Sequence, residues 1–223
     1  MTKPVKKSYP RLTVDPIVFS FEDNALKVLL YKRTTQPYDG LLALPGGDFY
    51  ANEYALDAVT RSLKIKASVT FKDISFSEQL HFFDTKDLDS RGHAVSLSYL
   101  CTMPPIMHGK YKDSLFVDVA TLPNLAYDHA TIIKTAVDTL QKKLITTTIA
   151  RYLLPESFSL NDLYRLYCAA FSIDFDNRNF RKKFLSFKVL LDTNKKEQGV
   201  AYRPSTLYAF KGNSIQNLSE LSL

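Results

Sequence analysis

The sequence predicts an α+β protein in two parts. A sandwich of short strands and two helices occupies residues 1–144, and three helices closed by a two-stranded hairpin occupy residues 145–212. Three observations lead there. Apolar residues alternate in short runs, with turn residues between them, up to about residue 130. The apolar period then changes to three and four. The positive charge is also uneven: residues 145–212 hold 11 Lys+Arg against 6 Asp+Glu, whereas residues 1–144 hold 18 against 16.

In the first part, Thr13 to Phe19 and Leu26 to Tyr31 read as strands joined by a turn at Glu22-Asp23-Asn24. Leu41 to Leu44 is apolar and breaks at Pro45-Gly46-Gly47. A helix follows, with Leu56, Val59 and Leu63 on its buried face. Val69 to Phe76, Glu78 to Phe82, Ala94 to Thr102 and Lys112 to Val117 read as further strands, and Asp84 to Gly92 as a charged loop. A long helix runs from Asp128, its expected cap, to Leu144.

In the second part, Ile145 to Leu154 reads as a short helix stopped by Pro155. Ser159 caps a second helix, Leu160 to Phe171, with Asp162 at the capping-box position. A third helix covers about Arg178 to Phe187. Val189 to Leu191 and Thr206 to Phe210 pair around a polar tip at Asp192 to Gly199. This order is the plan of a winged helix-turn-helix, and residues 213–223 read as a flexible tail.

Bulk properties narrow the class. The net charge of +6 suits a nucleic-acid partner. Cys101 and Cys168 are too few for a disulfide scaffold and read as buried thiols. No run approaches the roughly 18 apolar residues of a membrane span. Met1 to Ser8 is basic without an apolar segment behind it, so the cytoplasm is the expected compartment, with no membrane partner.

The chemistry concentrates at Gly47-Asp48-Phe49-Tyr50-Ala51-Asn52-Glu53, followed by Arg61-Ser62-Leu63. This resembles the signature of Nudix hydrolases, with Gly47, Glu53 and Arg61 in register and Leu63 and Val69 at its hydrophobic positions. The departures fall where the signature has metal-binding glutamates: Ser62, Ile65 and Lys66 stand there, and Ser68 replaces the closing glycine. Pyrophosphate cleavage needs a divalent metal on hard oxygen ligands. A hydroxyl, an alkyl group and an ammonium do not supply them, so no catalytic residue, metal or cofactor is expected. Glu53 and Arg61 then read as fold determinants, paired with loop backbone or with each other.

The two parts together resemble the NrtR-like bacterial transcriptional regulators. Asp89-Ser90-Arg91-Gly92-His93, Leu125-Ala126-Tyr127-Asp128-His129, Leu153-Leu154-Pro155 and the third helix with its wing strand occur in the family's order. The resemblance implies a Nudix-like α/β/α sandwich with a mixed sheet, a winged helix that binds duplex DNA, and a homodimer. It also implies a small-molecule effector, ADP-ribose in some members and a sugar in others. The expected effector contacts are Arg33, Phe49, Tyr50, Glu53, Arg61, Lys66, Asp89 and Arg91. Lys66 in the pocket would favour an anionic ligand, whereas Arg61 and Arg91 both tied up by acids would favour a neutral sugar.

For DNA, Asn177, Arg178 and Asn179 open the recognition helix and suit base edges. Arg181, Lys182, Lys183, Lys195, Lys196 and Arg203 suit phosphates. Phe180, Phe184 and Phe187 read as that helix's buried face. His93, His108 and His129 have no metal-ligand spacing, and His81 reads as a core histidine. Two other readings compete. One is a divergent hydrolase of ADP-ribose-like nucleoside diphosphates acting through Glu53, Glu78 or Asp89. The other is an adaptor whose winged helix binds protein.

Overall fold

The computed structural model describes residues 9–84, 89–105, 111, 114–199 and 204–218. Strand β1 (Arg11–Glu22) turns directly into β2 (Ala25–Lys32). Asp23 and Asn24 both take positive φ, 51° and 61°, as a two-residue hairpin with right-handed strand twist requires. Short strands β3 (Leu42–Ala43) and β4 (Gly47–Asp48) precede helix α1 (Ala55–Ala67). Then come β5 (Phe76–Asp84), β6 (Ala94–Thr102), β7 (Leu115–Asp118) and helix α2 (His129–Thr146). The sheet order is β3-β2-β1-β6-β5, with β4 also on β1 and β7 also on β2. Among the described strand pairs of this sheet β1–β6 is parallel and the others are antiparallel, so the sheet is mixed.

β1 organises both layers through its two-residue period. Val14 and Val18 point into a core with Ala58, Val59 and Leu63 of α1. Ile17, Phe19 and Phe21 point the other way, into a core with Ile132, Ala136 and Leu140 of α2. β4 covers Thr13 and Val14 along one edge of β1, and β2 resumes only at Phe19. Pro16, which has no N–H to donate, falls in that gap.

The second core continues without a break into the rest of the chain. β8 (Phe158–Ser159), α3 (Leu160–Phe171), α4 (Asn177–Ser186), β9 (Leu190–Lys196) and β10 (Thr206–Phe210) form a winged helix, with its sheet ordered β8-β10-β9. Ser159 accepts from the Asp162 N–H at 3.2 Å and its own N–H donates to the Asp162 carboxylate at 2.9 Å, closing the capping box. α3 packs on β2, and Arg165 donates to Asn24 Oδ1 at 3.1 Å. Among the described residues no helix is long and apolar enough to cross a membrane.

Several local expectations fail for identifiable reasons. Val69 to Phe76 is not one strand. The Thr70 N–H and hydroxyl both donate to Asp73, winding Phe71–Asp73 into a 3-10 turn before β5 starts at Phe76. Of the strand expected from Lys112 to Val117, Lys112 and Asp113 lie outside the described residues, and β7 begins at Leu115. Ile145 to Leu154 is not a separate helix: α2 runs on to Thr146, Thr147 is extended, and Ile149–Tyr152 is a 3-10 turn. Leu56 is 44 % exposed, and Ser62 takes its place on the buried face of α1. Asp128 precedes α2 without a side-chain cap bond.

Further differences lie elsewhere in the chain. β9 extends through Lys196, so Lys195 and Lys196 belong to a strand rather than to a hairpin tip. His81 is exposed and stacks on Phe82, and Cys168 is half-buried, although Cys101 is fully buried. Residues 213–218 are docked, not loose. Thr147 bridges Asn217, and the Leu218 N–H donates to Thr146 O at 2.7 Å. His108 and Arg203 lie outside the described residues, as do residues 219–223.

Candidate functional site

A cavity of about 450 Å³ opens beside the first half of β1. Arg11, Thr13 and Asp15 reach it from alternate positions on that strand. Tyr31, Lys32 and Arg33 close one wall, Ile65 and Lys66 another, and Tyr127, Asp128 and His129 a third. Gly46 belongs to the loop over the floor. A Cβ there would meet Asp15 Oδ1 at 1.9 Å and the Val14 carbonyl at 2.3 Å, so the close approach excludes a side chain.

Four of the eight expected effector contacts line this space: Arg33, Lys66, Asp89 and Arg91. The other four, Phe49, Tyr50, Glu53 and Arg61, are absent from its lining. Arg61 instead binds Glu53 at 2.7 Å, donates to the Asp48 carbonyl at 2.6 Å and lies over the Tyr50 ring at 3.7 Å. Glu53 also accepts the Tyr50 N–H at 2.9 Å. The Arg61 hydrogen bond is the main cause that lowers the Glu53 pKa to about 2. These side chains brace the loop that shapes the cavity.

Cations at the cavity are largely occupied. Arg91 forms a two-pronged pair with Asp89 at 2.7 and 2.9 Å and donates to Tyr127 Oη at 3.0 Å. The Arg91 hydrogen bond holds Asp89 at about 2, and the same pairing raises Arg91. Arg11 joins Asp48 to Asp89. Buried Arg33 donates to the carbonyls of Pro37 and Thr35 and to Tyr31 Oη. Lys66 has only a neutral partner, Tyr31 Oη at 3.0 Å, and Lys32 is exposed with no ion pair among the described residues.

The three positions that depart from the hydrolase signature fare differently. Lys66 and Ile65 line the cavity, and Ser62 is buried under Gly47 with its hydroxyl unpartnered. Glu78, one of the acids considered for catalysis, is bound to Lys143 at 2.7 Å.

Sequence reasoning passed over Asp15, Tyr31, Tyr127 and His129. Asp15 and His129 are 8 % and 6 % exposed and line the cavity. The available signal was the polar alternation of Arg11, Thr13 and Asp15 in a strand that is otherwise apolar.

The second candidate surface is α4. The Asp176 side chain caps it by accepting the Asn179 N–H at 2.7 Å. Phe180 and Phe184 are buried against Tyr167, and Phe187 is half-buried. Arg178, Asn179 and Lys182 are exposed, as are Lys195 and Lys196 on β9, whereas Asn177, Arg181 and Lys183 are half-buried. Arg181 turns away from Lys182 into a cleft with Asn161, Thr206 and Tyr208, where its Nε has no partner. None of these cations forms an ion pair among the described residues.

Comparison with known proteins fits this division. The family described as the NrtR DNA-binding winged helix domain matches residues 150–210. The chain is similar to Shewanella oneidensis NrtR, at 30% identity over 90% of this chain and 94% of that one, with a TM-score of 0.74. The same protein complexed with a 27mer DNA gives 29% identity over 90% and 93% of the two chains and a TM-score of 0.75. An ADPR responsive transcriptional repressor from Acinetobacter baylyi is 26% identical over 92% of this chain and 84% of its own length. An ADP-ribose pyrophosphatase from Methanocaldococcus jannaschii is 34% identical, over 56% of this chain and 72% of its own length.

Proposed function

Because the chain belongs to the NrtR family of effector-sensing transcriptional regulators with a DNA-binding winged helix, we propose that its cavity takes ADP-ribose or a closely similar nucleoside diphosphate sugar and that its α4 face reads duplex DNA. Residues 1–144 serve as the sensor and 145–212 as the DNA-binding part. The protein acts in the cytoplasm as a homodimer on an inverted repeat.

The observation that carries the ligand reading is Lys66. It puts an ammonium whose partner among the described residues is a phenol at the cavity wall, where the hydrolase signature has an acid. Lys32 adds a second cation at the same wall. Together they favour an anion, while Asp15, Asp48, Asp89 and Asp128 offer acceptors to sugar hydroxyls. A volume of about 450 Å³ suits a ligand of nucleotide size. Relatives that respond to or cleave ADP-ribose point the same way.

Hydrolysis is not part of this reading. Family membership points to a non-catalytic Nudix domain. Glu53, Glu78 and Asp89, the acids left to replace the lost cluster, are each held by a cation. A neutral sugar is the second reading, favoured by the engagement of Arg61 with Glu53 and of Arg91 with Asp89.

For DNA, Asn177, Arg178 and Asn179 contact bases at the start of α4. Lys182, Lys183, Lys195, Lys196 and Arg203 neutralise phosphates, and Arg181 does so from its cleft. Titration calorimetry with ADP-ribose, ADP and free arabinose separates the two ligand readings. Tight binding of ADP-ribose with arabinose silent supports the first, and the reverse replaces it with the second. Incubation with ADP-ribose and magnesium should release no AMP, and turnover would restore the hydrolase.

A further inference from the structure

At the floor of the cavity two buried polar side chains face each other without touching. Asp15 Oδ2 accepts the Ser96 hydroxyl, which fixes the carboxylate. Its other oxygen, Oδ1, lies 3.9 Å from His129 Nε2, too far for a hydrogen bond. The Leu44 N–H donates to His129 Nδ1 at 2.9 Å, so Nδ1 carries no proton. Burial pushes the imidazole pKa below its ordinary value, so the ring is neutral at pH 7 and its one proton sits on Nε2.

The floor therefore presents a fixed donor and a fixed acceptor 3.9 Å apart, both lining the cavity and neither with another hydrogen-bond partner among the described residues. A hydroxyl oxygen placed about 2.8 Å from each satisfies both, because a hydroxyl accepts one bond and donates one. A phosphate oxygen would satisfy the imidazole but be repelled by the carboxylate. An ammonium would satisfy only the carboxylate. The carboxylate's position is built rather than incidental: Ser96 holds Oδ2, and only a glycine at 46 leaves room for Oδ1, because a Cβ there would meet it at 1.9 Å.

We infer that Asp15 and His129 form a hydroxyl-recognition subsite that selects the effector by one of its sugar hydroxyls. Lys66 and Lys32 hold the anionic part of the same ligand. This rests on the reading of the cavity as the effector site and adds which chemical group it discriminates.

The test is calorimetry on the full chain with ADP-ribose, its analogues each lacking one ribose hydroxyl, pyrophosphate, free ribose and free arabinose. One deoxy analogue should bind about 10- to 100-fold more weakly than ADP-ribose, and the others should bind like the parent. In Asp15→Asn the amide turns a donor toward the His129 donor. That variant should lose the same factor with ADP-ribose and bind the discriminating deoxy analogue as well as wild type does. His129→Gln, which keeps an acceptor for Leu44 and a donor for the ligand, should lose less.

If Asp15→Asn does not fold, the analogue series on wild-type protein decides alone. Equal binding of all deoxy analogues overturns the inference, as does an Asp15→Asn loss shared equally by parent and deoxy ligand. Pyrophosphate binding as tightly as ADP-ribose, or failure of every hydroxylated probe to bind, also overturns it. If only free sugars bind, the nucleotide reading fails while the subsite is supported, provided that deoxy sugars bind more weakly.

Discussion

The two parts of the molecule use the same cations in opposite ways. Around the cavity, Arg11, Arg61 and Arg91 are each locked to a carboxylate, and Arg33 is spent on backbone carbonyls and a phenol. On α4 and β9, Arg178, Lys182, Lys195 and Lys196 are exposed and form no ion pair among the described residues. Guanidinium groups in the first part brace the walls of a cavity. The exposed cations of the second, one arginine and three lysines, carry no such partner among the described residues. Net charge alone does not reveal this difference, which depends on where the acids sit.

Salt should separate the two surfaces most strongly. If the free cations neutralise phosphates, raising salt from 50 to 200 mM weakens duplex binding by about a thousandfold for a dimer. ADP-ribose binding should change far less, because Lys66 sits within a cavity. Parallel anisotropy and calorimetry titrations across that range check this, and equal salt slopes would dissolve the contrast.

Charge reversal comes next. The pair Arg178→Glu and Lys182→Glu should lower duplex affinity on the order of a hundredfold or more and leave ADP-ribose affinity and the melting temperature unchanged. Intact binding to a protein partner with DNA binding lost would point to the adaptor reading instead.

The bracing role has the opposite signature. Arg91→Ala leaves the buried Asp89 carboxylate with Arg11 and the backbone N–H of residue 91 among the described residues, and should destabilise the fold by about 1 kcal/mol, discounted because the Arg91 side chain is 47% exposed. Arg178→Ala should leave the melting temperature within error. Denaturant titrations of both variants test the pair.

The smallest effect is in pH. The folded pKa of His129 lies below its ordinary value of 6.5, so the unfolded chain takes up the proton first. Its contribution is fully present above about pH 6.5 and is lost as pH falls toward the folded value. Glu53 and Asp89, both held at about 2, add a second loss that begins near their ordinary values of 4.5 and 3.8. Melting temperature should therefore fall in two stages on acidification. His129→Gln should remove the first stage only.

What could be read from the sequence was local. The Ser159–Asp162 capping box, the Asp23-Asn24 turn and the phenylalanine face of α4 depend on residues within a few positions of one another. The signature around Gly47, Glu53 and Arg61 was legible for the same reason, although Glu53 and Arg61 bind each other and do not line the cavity. The cavity floor was not legible. Asp15 and His129 are far apart in sequence and come within 3.9 Å of each other only in the folded chain. Docking of Leu218 beside Thr146 was hidden likewise, since a short polar segment carries no sign of its distant partner.

Occupation of the cavity should change DNA binding without consuming the ligand. Fluorescence anisotropy of a labelled duplex, selected from genomic fragments that the protein enriches, tests it when ADP-ribose is titrated in with magnesium present. Duplex affinity should change tenfold or more, saturate with ADP-ribose and stay constant over hours. An unchanged affinity, or a response that decays as ADP-ribose is hydrolysed, would contradict it.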